Sequence, residues 1–213
     1  MSPLDKNPVI ENIRKSLGRQ PGQAVEPRPA VLPPRPALEI QAEIDLFVSE
    51  LNQLSGHARR VHQEQLAQAL DELVQAEEIR RATVWKTPVL GDLGVADHLE
   101  RLGVEIIPAG EDKHRLASCD LGVTEADFAL AETGTIGLLS SPEKPRPVSL
   151  LPRVHLALLR AAAFRPDLAQ VFAEAKGQGY LILITGPSRT ADIELTVTLG
   201  VHGPKSLNVW VLV

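Results

Sequence analysis

The sequence predicts an α/β fold, an open and mainly parallel sheet with flanking helices. Three observations carry that reading. Strand and helix patterns alternate from Arg81 to Ile107, as βαβ units require. Tyr180 to Ile184 is a continuous apolar run, the pattern of a strand covered on both faces. Ahead of both, apolar residues recur at helical spacing through Ile40, Ile44, Phe47, Val48 and Leu51, and again through Leu66, Leu70, Leu73 and Val74.

At the N-terminus, Asn7 is placed to cap a short helix with Pro8 at its first position and Ile10, Ile13 and Leu17 on one face. Pro21, Pro27, Pro29, Pro33, Pro34 and Pro36 then favour polyproline II and exclude a continuous helix or central strand. The expected organisation is a helix over 1–18, a tether over 19–37 and one folded domain over 38–213. Within that domain, His57 to His62 reads as a short strand between the two amphipathic helices. Arg81 to Trp85 reads as a strand, Ala96 to Leu102 as a helix ended by Gly103, and Val104 to Ile107 as the next strand. Asp127 to Leu139, rich in small and β-branched residues, predicts two buried strands joined by a tight turn. Val148 to Leu151 and Val154 to Leu159 are expected to extend the sheet. Pro166 and Asp167 open a helix bearing Leu168, Val171 and Phe172, and Leu207 to Val213 closes the chain as a strand.

Bulk properties exclude several function classes. With 22 Lys plus Arg against 27 Asp plus Glu, the chain offers no global attraction to a polyanion, and 3% aromatic residues leave few stacking platforms. No nucleic-acid partner is expected. The start Met-Ser-Pro-Leu-Asp-Lys has no secretory pattern and no apolar run reaches membrane-spanning length, so a cytoplasmic location without membrane insertion is expected. Cys119 is the only cysteine, which rules out an intrachain disulfide and any cluster held by this chain alone. The histidines show no metal-ligand spacing, and no metal or cofactor is assigned to the chain itself.

Three segments could carry chemistry. In Ala131-Glu132-Thr133-Gly134-Thr135-Ile136, Gly134 permits positive φ or close approach of a ligand, while the hydroxyls of Thr133 and Thr135 and nearby N–H groups can converge on an anion. Apolar neighbours are expected to desolvate Glu132 and raise its pKa, which suits acid/base work. The same residues also fit a tight turn whose glutamate satisfies backbone N–H groups. In Thr185 to Glu194, Gly186, Ser188 and Thr190 form a turn after an apolar strand. A helix is expected to follow, its N-terminus and Arg189 pointing at an anionic ligand, with Asp192 and Glu194 orienting Arg189 or capping. An ordinary capped turn is the alternative. In Gly200-Val201-His202-Gly203-Pro204, His202 sits on a loop where it can act as acid/base, or merely bond backbone. His155, in an apolar stretch, reads as a core histidine.

Together, the string from Gly122 to Ile136, the string from Thr185 to Glu194 and Gly200 to Pro204 resemble the LUD-domain family, in its lactate-utilisation protein C branch. The resemblance covers about Leu38 to Val213. It implies a fold like that of sugar-phosphate isomerases and coenzyme A transferases, with a ligand site above strand ends. It also implies work alongside iron-sulfur partner proteins that oxidise L-lactate to pyruvate, with all clusters in the partners and room for an unidentified organic cofactor. The residues themselves make Glu132 and His202 the expected catalytic residues, and the resemblance adds weight to Glu132, Arg189 and Asp192. Thr133, Gly134, Thr135, Gly186, Ser188, Arg189, Thr190 and Asp192 are the expected contacts to a small anionic ligand, with Glu132 and Arg189 facing one pocket. Two other functions remain open, a stand-alone enzyme acting on a phosphorylated or coenzyme A-linked ligand and an adaptor subunit.

Overall fold

The computed structural model describes residues 7–20, 36–191 and 197–213. The chain divides into two units, Met1–Pro33 and Pro34–Val213. In the first, α1 (Pro8–Ser16) begins where the sequence places it, with the Asn7 side chain accepting from Val9 N at 2.9 Å. Most of the proline-rich stretch, 21–35, lies outside the described residues.

The second unit opens with α2 (Ile40–Gln53), whose Ile44, Phe47 and Leu51 are fully buried. Burial of each such side chain contributes roughly 1.5–3 kcal/mol. Asn52 then fixes the turn into β1 (His57–Val61): its amide accepts from Ala58 N at 2.7 Å and donates to Ala58 O at 3.1 Å. After α3 (Leu66–Ala76) come β2 (Arg81–Val84), α4 (Pro88–Asp92), α5 (Val95–Arg101), β3 (Glu105–Ile106), α6 (Lys113–Ala117) and β4 (Leu121–Glu125). An antiparallel pair follows, β5 (Phe128–Leu130) and β6 (Thr135–Leu139), then α7 (Pro147–Leu150), β7 (Val154–Arg160) and α8 (Leu168–Ala175). The chain closes with β8 (Leu181–Ile184), β9 (Arg189–Ala191), β10 (Val197–Leu199) and β11 (Ser206–Leu212).

The main sheet has the order β1-β11-β7-β4-β2-β3, and every pairing in it is parallel. Helices and loops cover both faces, so β7 and β11 are buried along almost their whole length, as parallel strands require. A second sheet, β5-β6-β8, is antiparallel, and β9 and β10 form a separate pair. The α/β class and the mainly parallel sheet expected from the sequence are what the chain adopts.

Three expectations are corrected. Val148 to Leu151 does not extend the sheet; it belongs to the short helix α7, because Pro147 suits a first helical turn and supplies no N–H to a ladder. Tyr180 to Ile184 is not covered on both faces: β8 is an edge of the second sheet, and Tyr180 is 68% exposed. No helix follows the Gly186 to Ser188 turn, since Arg189 continues directly into β9. No helix of the described residues is long and apolar enough to cross a membrane.

Candidate functional site

The turn after β5 is a single 3₁₀ turn, Ala131–Thr133, closed by Gly134 at φ +56°. A Cβ at Gly134 would lie 2.5 Å from Leu51 N, so the missing side chain admits the backbone of α2 and not a ligand. Glu132 and Thr133 are exposed, and the desolvation expected of Glu132 is absent. Glu132 is nevertheless engaged in an interaction within the chain. Thr135 is buried, and its Oγ1 lies 2.7 Å from both Thr133 Oγ1 and Thr185 Oγ1. This hydroxyl chain ties the turn to the end of β8. Glu132, Thr133, Thr135 and Thr185 line one cavity of about 450 Å³ with Asp167 and Leu168. Asp167 caps α8 by accepting from Gln170 N at 2.8 Å.

Arg189 is not among the residues lining that cavity. Its guanidinium donates to the Leu54 carbonyl, and Gly186, at φ +96°, passes against that same oxygen. Ser188 N donates to Pro204 O at 3.0 Å, Gly200 N donates to Ser188 O at 2.9 Å, and a Cβ at Gly203 would meet the Ser188 side chain. The second and third segments are therefore one structure, with His202 exposed on its loop. Thr190 falls on β9, while Asp192 and Glu194 lie outside the described residues.

Leu54 precedes β1, Pro204 precedes β11, and Lys205 N bonds to the carbonyl of Arg153, which precedes β7. All three strands run parallel, so the Gly186–Ser188 turn stands at their amino ends, opposite to the carboxyl edge where open sheets usually collect ligands.

At the carboxyl edge the structure holds a cluster that sequence reasoning missed. Lys144 Nζ lies 2.5 Å from Asp127 Oδ1 and 3.5 Å from Glu125 Oε1, each side chain being less than one fifth exposed. Asp127 Oδ2 accepts from Leu139 N at 2.7 Å, Thr87 Oγ1 donates to Glu125 Oε2 at 3.2 Å, and the ammonium stands 5.3 Å from the centre of the Trp85 ring. Half-buried and mutually satisfied, these groups can bind a polar ligand or relay a proton. Among the described residues, no group of three or more His, Cys, Asp or Glu side chains is arranged to hold a metal ion.

Other polar groups are structural. His155 is buried in β7, where Nε2 lies 2.9 Å from Thr124 Oγ1, and burial pushes its pKa down to about 3. Cys119 is buried, and desolvation pushes its thiol up to about 11. Burial opposes ionisation of Asp120, but the N–H groups of Arg80 and Arg81 and the Arg153 guanidinium outweigh it and hold the carboxyl below its usual range.

The model of the LUD domain matches residues 44–212. A protein of Halalkalibacterium halodurans described as "Lactate utilization protein C" is 30% identical, covering 92% of each chain. A protein of the same description from Shouchella clausii is 29% identical over 94% of each chain. The crystal structure of a DUF162 family protein from Deinococcus radiodurans superposes with a TM-score of 0.61 at 20% identity, covering 83% of this chain and 100% of that one, a likeness of fold.

Proposed function

Because the chain belongs to the LUD domain family, we propose that it is a lactate-utilisation protein, a non-metal component of a system that oxidises L-lactate to pyruvate. The similarity over more than nine tenths of both chains to proteins described as "Lactate utilization protein C" carries this reading. Converting a secondary alcohol to a ketone releases two electrons and two protons. One thiol cannot hold a cluster; in this reading, which follows the family resemblance, the electrons go to an organic cofactor bound by this chain or to iron-sulfur partner proteins.

This chain contributes a binding site for a small anionic molecule, substrate or organic cofactor. Glu132, exposed beside the Thr133 and Thr135 hydroxyls, is the proposed proton-handling group. Arg189, outside the lining of the Glu132 cavity and already donating to the Leu54 carbonyl, has further guanidinium N–H groups to offer a carboxylate from the neighbouring turn, and His202 stands on the loop bonded to Ser188. The Gly186 turn is not built as a phosphate cradle, because β9 follows it and no helix dipole points there.

The test is genetic. In a strain without another lactate dehydrogenase, deleting the gene abolishes growth on L-lactate and spares growth on pyruvate. A folded Glu132→Gln copy restores growth poorly. Normal lactate growth of the deletion strain would refute the pathway, whereas full rescue by Glu132→Gln would refute only the site.

A further inference from the structure

From β2 the chain leaves toward β3, and from β4 it leaves the other way, toward β7 and β11. These two neighbouring strands therefore diverge at their carboxyl ends, the place where open α/β sheets collect ligands. Beside the divergence a cavity of about 350 Å³ opens over the ends of β2 and β3, walled by Trp85, Leu90, Val95, Ile107 and Pro108. That volume suits a small organic molecule, and walls that are mainly apolar with a few polar groups are the usual composition of such sites. Gly91 and Gly94 also line it, and a Cβ at either would meet no protein atom within 4 Å, so nothing of the chain fills the space above them.

The charged groups on the lining are Lys86 and Asp97. Asp97 lies in the first turn of α5, where the helix dipole offsets its charge. Lys86 directly follows Trp85 at the strand end, and its ammonium has no ion-pair partner among the described residues. A ligand that buries an apolar body here therefore gains most by placing a negative group on Lys86. Thr87 joins the cavity to the cluster beside it, since it forms part of the wall and donates to Glu125, which in turn holds Lys144.

The geometry points to a second ligand site in this cavity, for a small organic molecule with an apolar body and one anionic arm held by Lys86. It shares no lining residue with the Glu132 cavity and does not depend on the lactate assignment.

The two tryptophans make the test specific. Trp85 lines this cavity, whereas Trp210 lines a different one of about 750 Å³ near β1. With 5-fluorotryptophan in the full chain, and Trp210→Phe to assign the two fluorine resonances, naphthalene-2-carboxylate serves as the probe. The Trp85 resonance shifts saturably at about one equivalent bound, with Kd below about 1 mM, while that of Trp210 stays in place. Lys86→Met weakens naphthalene-2-carboxylate about fivefold and leaves neutral 2-naphthol unchanged. Movement of the Trp210 resonance alone, or of neither, overturns the site. Equal effects of Lys86→Met on the two probes overturn the anionic arm.

Discussion

The carbonyl oxygen of Val148 occupies the place where a side chain at Gly122 would begin, 1.9 Å from an ideal Cβ. The helical donor four residues beyond Val148 would be Pro152, which has no N–H, and the carbonyl instead lies over the central strand β4. Gly122→Ala must push two backbones apart, so it should cost about 3 kcal/mol or more. Urea denaturation reads this as a lowered midpoint, and an unchanged midpoint would contradict the packing.

A second prediction concerns the ion pairs under the amino edge. Asp120 accepts from Arg80 N and Arg81 N at 2.9 and 3.0 Å and from Arg153 Nε at 3.3 Å, and Arg153 also reaches Glu77. Asp120→Asn should lower stability by roughly 1–3 kcal/mol, because the donors lose an ionised acceptor. Since the folded carboxyl titrates below its ordinary value, its contribution is present at neutral pH and fades as the medium becomes acidic enough to protonate it. The loss caused by Asp120→Asn should therefore shrink in acid; a loss independent of pH would refute the ionised role.

His155 produces acid sensitivity by the opposite kind of group. Burial holds it neutral down to about pH 3, whereas the unfolded chain binds its proton near 6.5. Between those values the unfolded state carries the extra proton, so stability falls as pH drops. Replacing His155 by Gln, which keeps a partner for Thr124 Oγ1, should flatten the stability profile between about pH 6.5 and 3. An equally steep profile would assign the acid sensitivity to other groups.

Cys119 should be inert while the chain is folded. Its thiol is buried and ionises only near pH 11, and the thiolate is the reactive form. Ellman's reagent at pH 8 should label it at the rate of unfolding, and immediate labelling in native buffer would show the site to be open.

How far the sequence was legible depends on where the deciding contact lies. Helix α2 was readable because Ile44, Phe47 and Leu51 repeat on one face and that face is the one buried. Strand β4 escaped notice because Gly122 and Thr124 interrupt its apolar pattern, and the reason for Gly122 is a carbonyl more than 20 residues away. The sequence leaves Gly134 open to positive φ or to a ligand, and periodicity cannot say that the neighbour is the backbone of Leu51. Lys144 stands in a proline-rich, charged loop that reads as solvated surface; only the fold brings it to Asp127 and Glu125. The place of the Arg189 turn is hidden for a similar reason, since a strand followed by a Gly/Ser turn looks the same at either edge of a sheet.

The pairing of β1 with β11 has a consequence during synthesis. His57 to Val61 leaves the ribosome early, yet its partner in the main sheet is Asn208 to Leu212, and β11 also separates it from β7. Until those late residues emerge, an edge strand and one side of β7 stand without their ladder, exposing apolar surface that invites misassociation. Contacts so distant along the chain also slow closure of the sheet. A nascent chain halted before Ser206 therefore cannot complete the main sheet, and chaperones and proteases would meet it with β7 uncovered on that side.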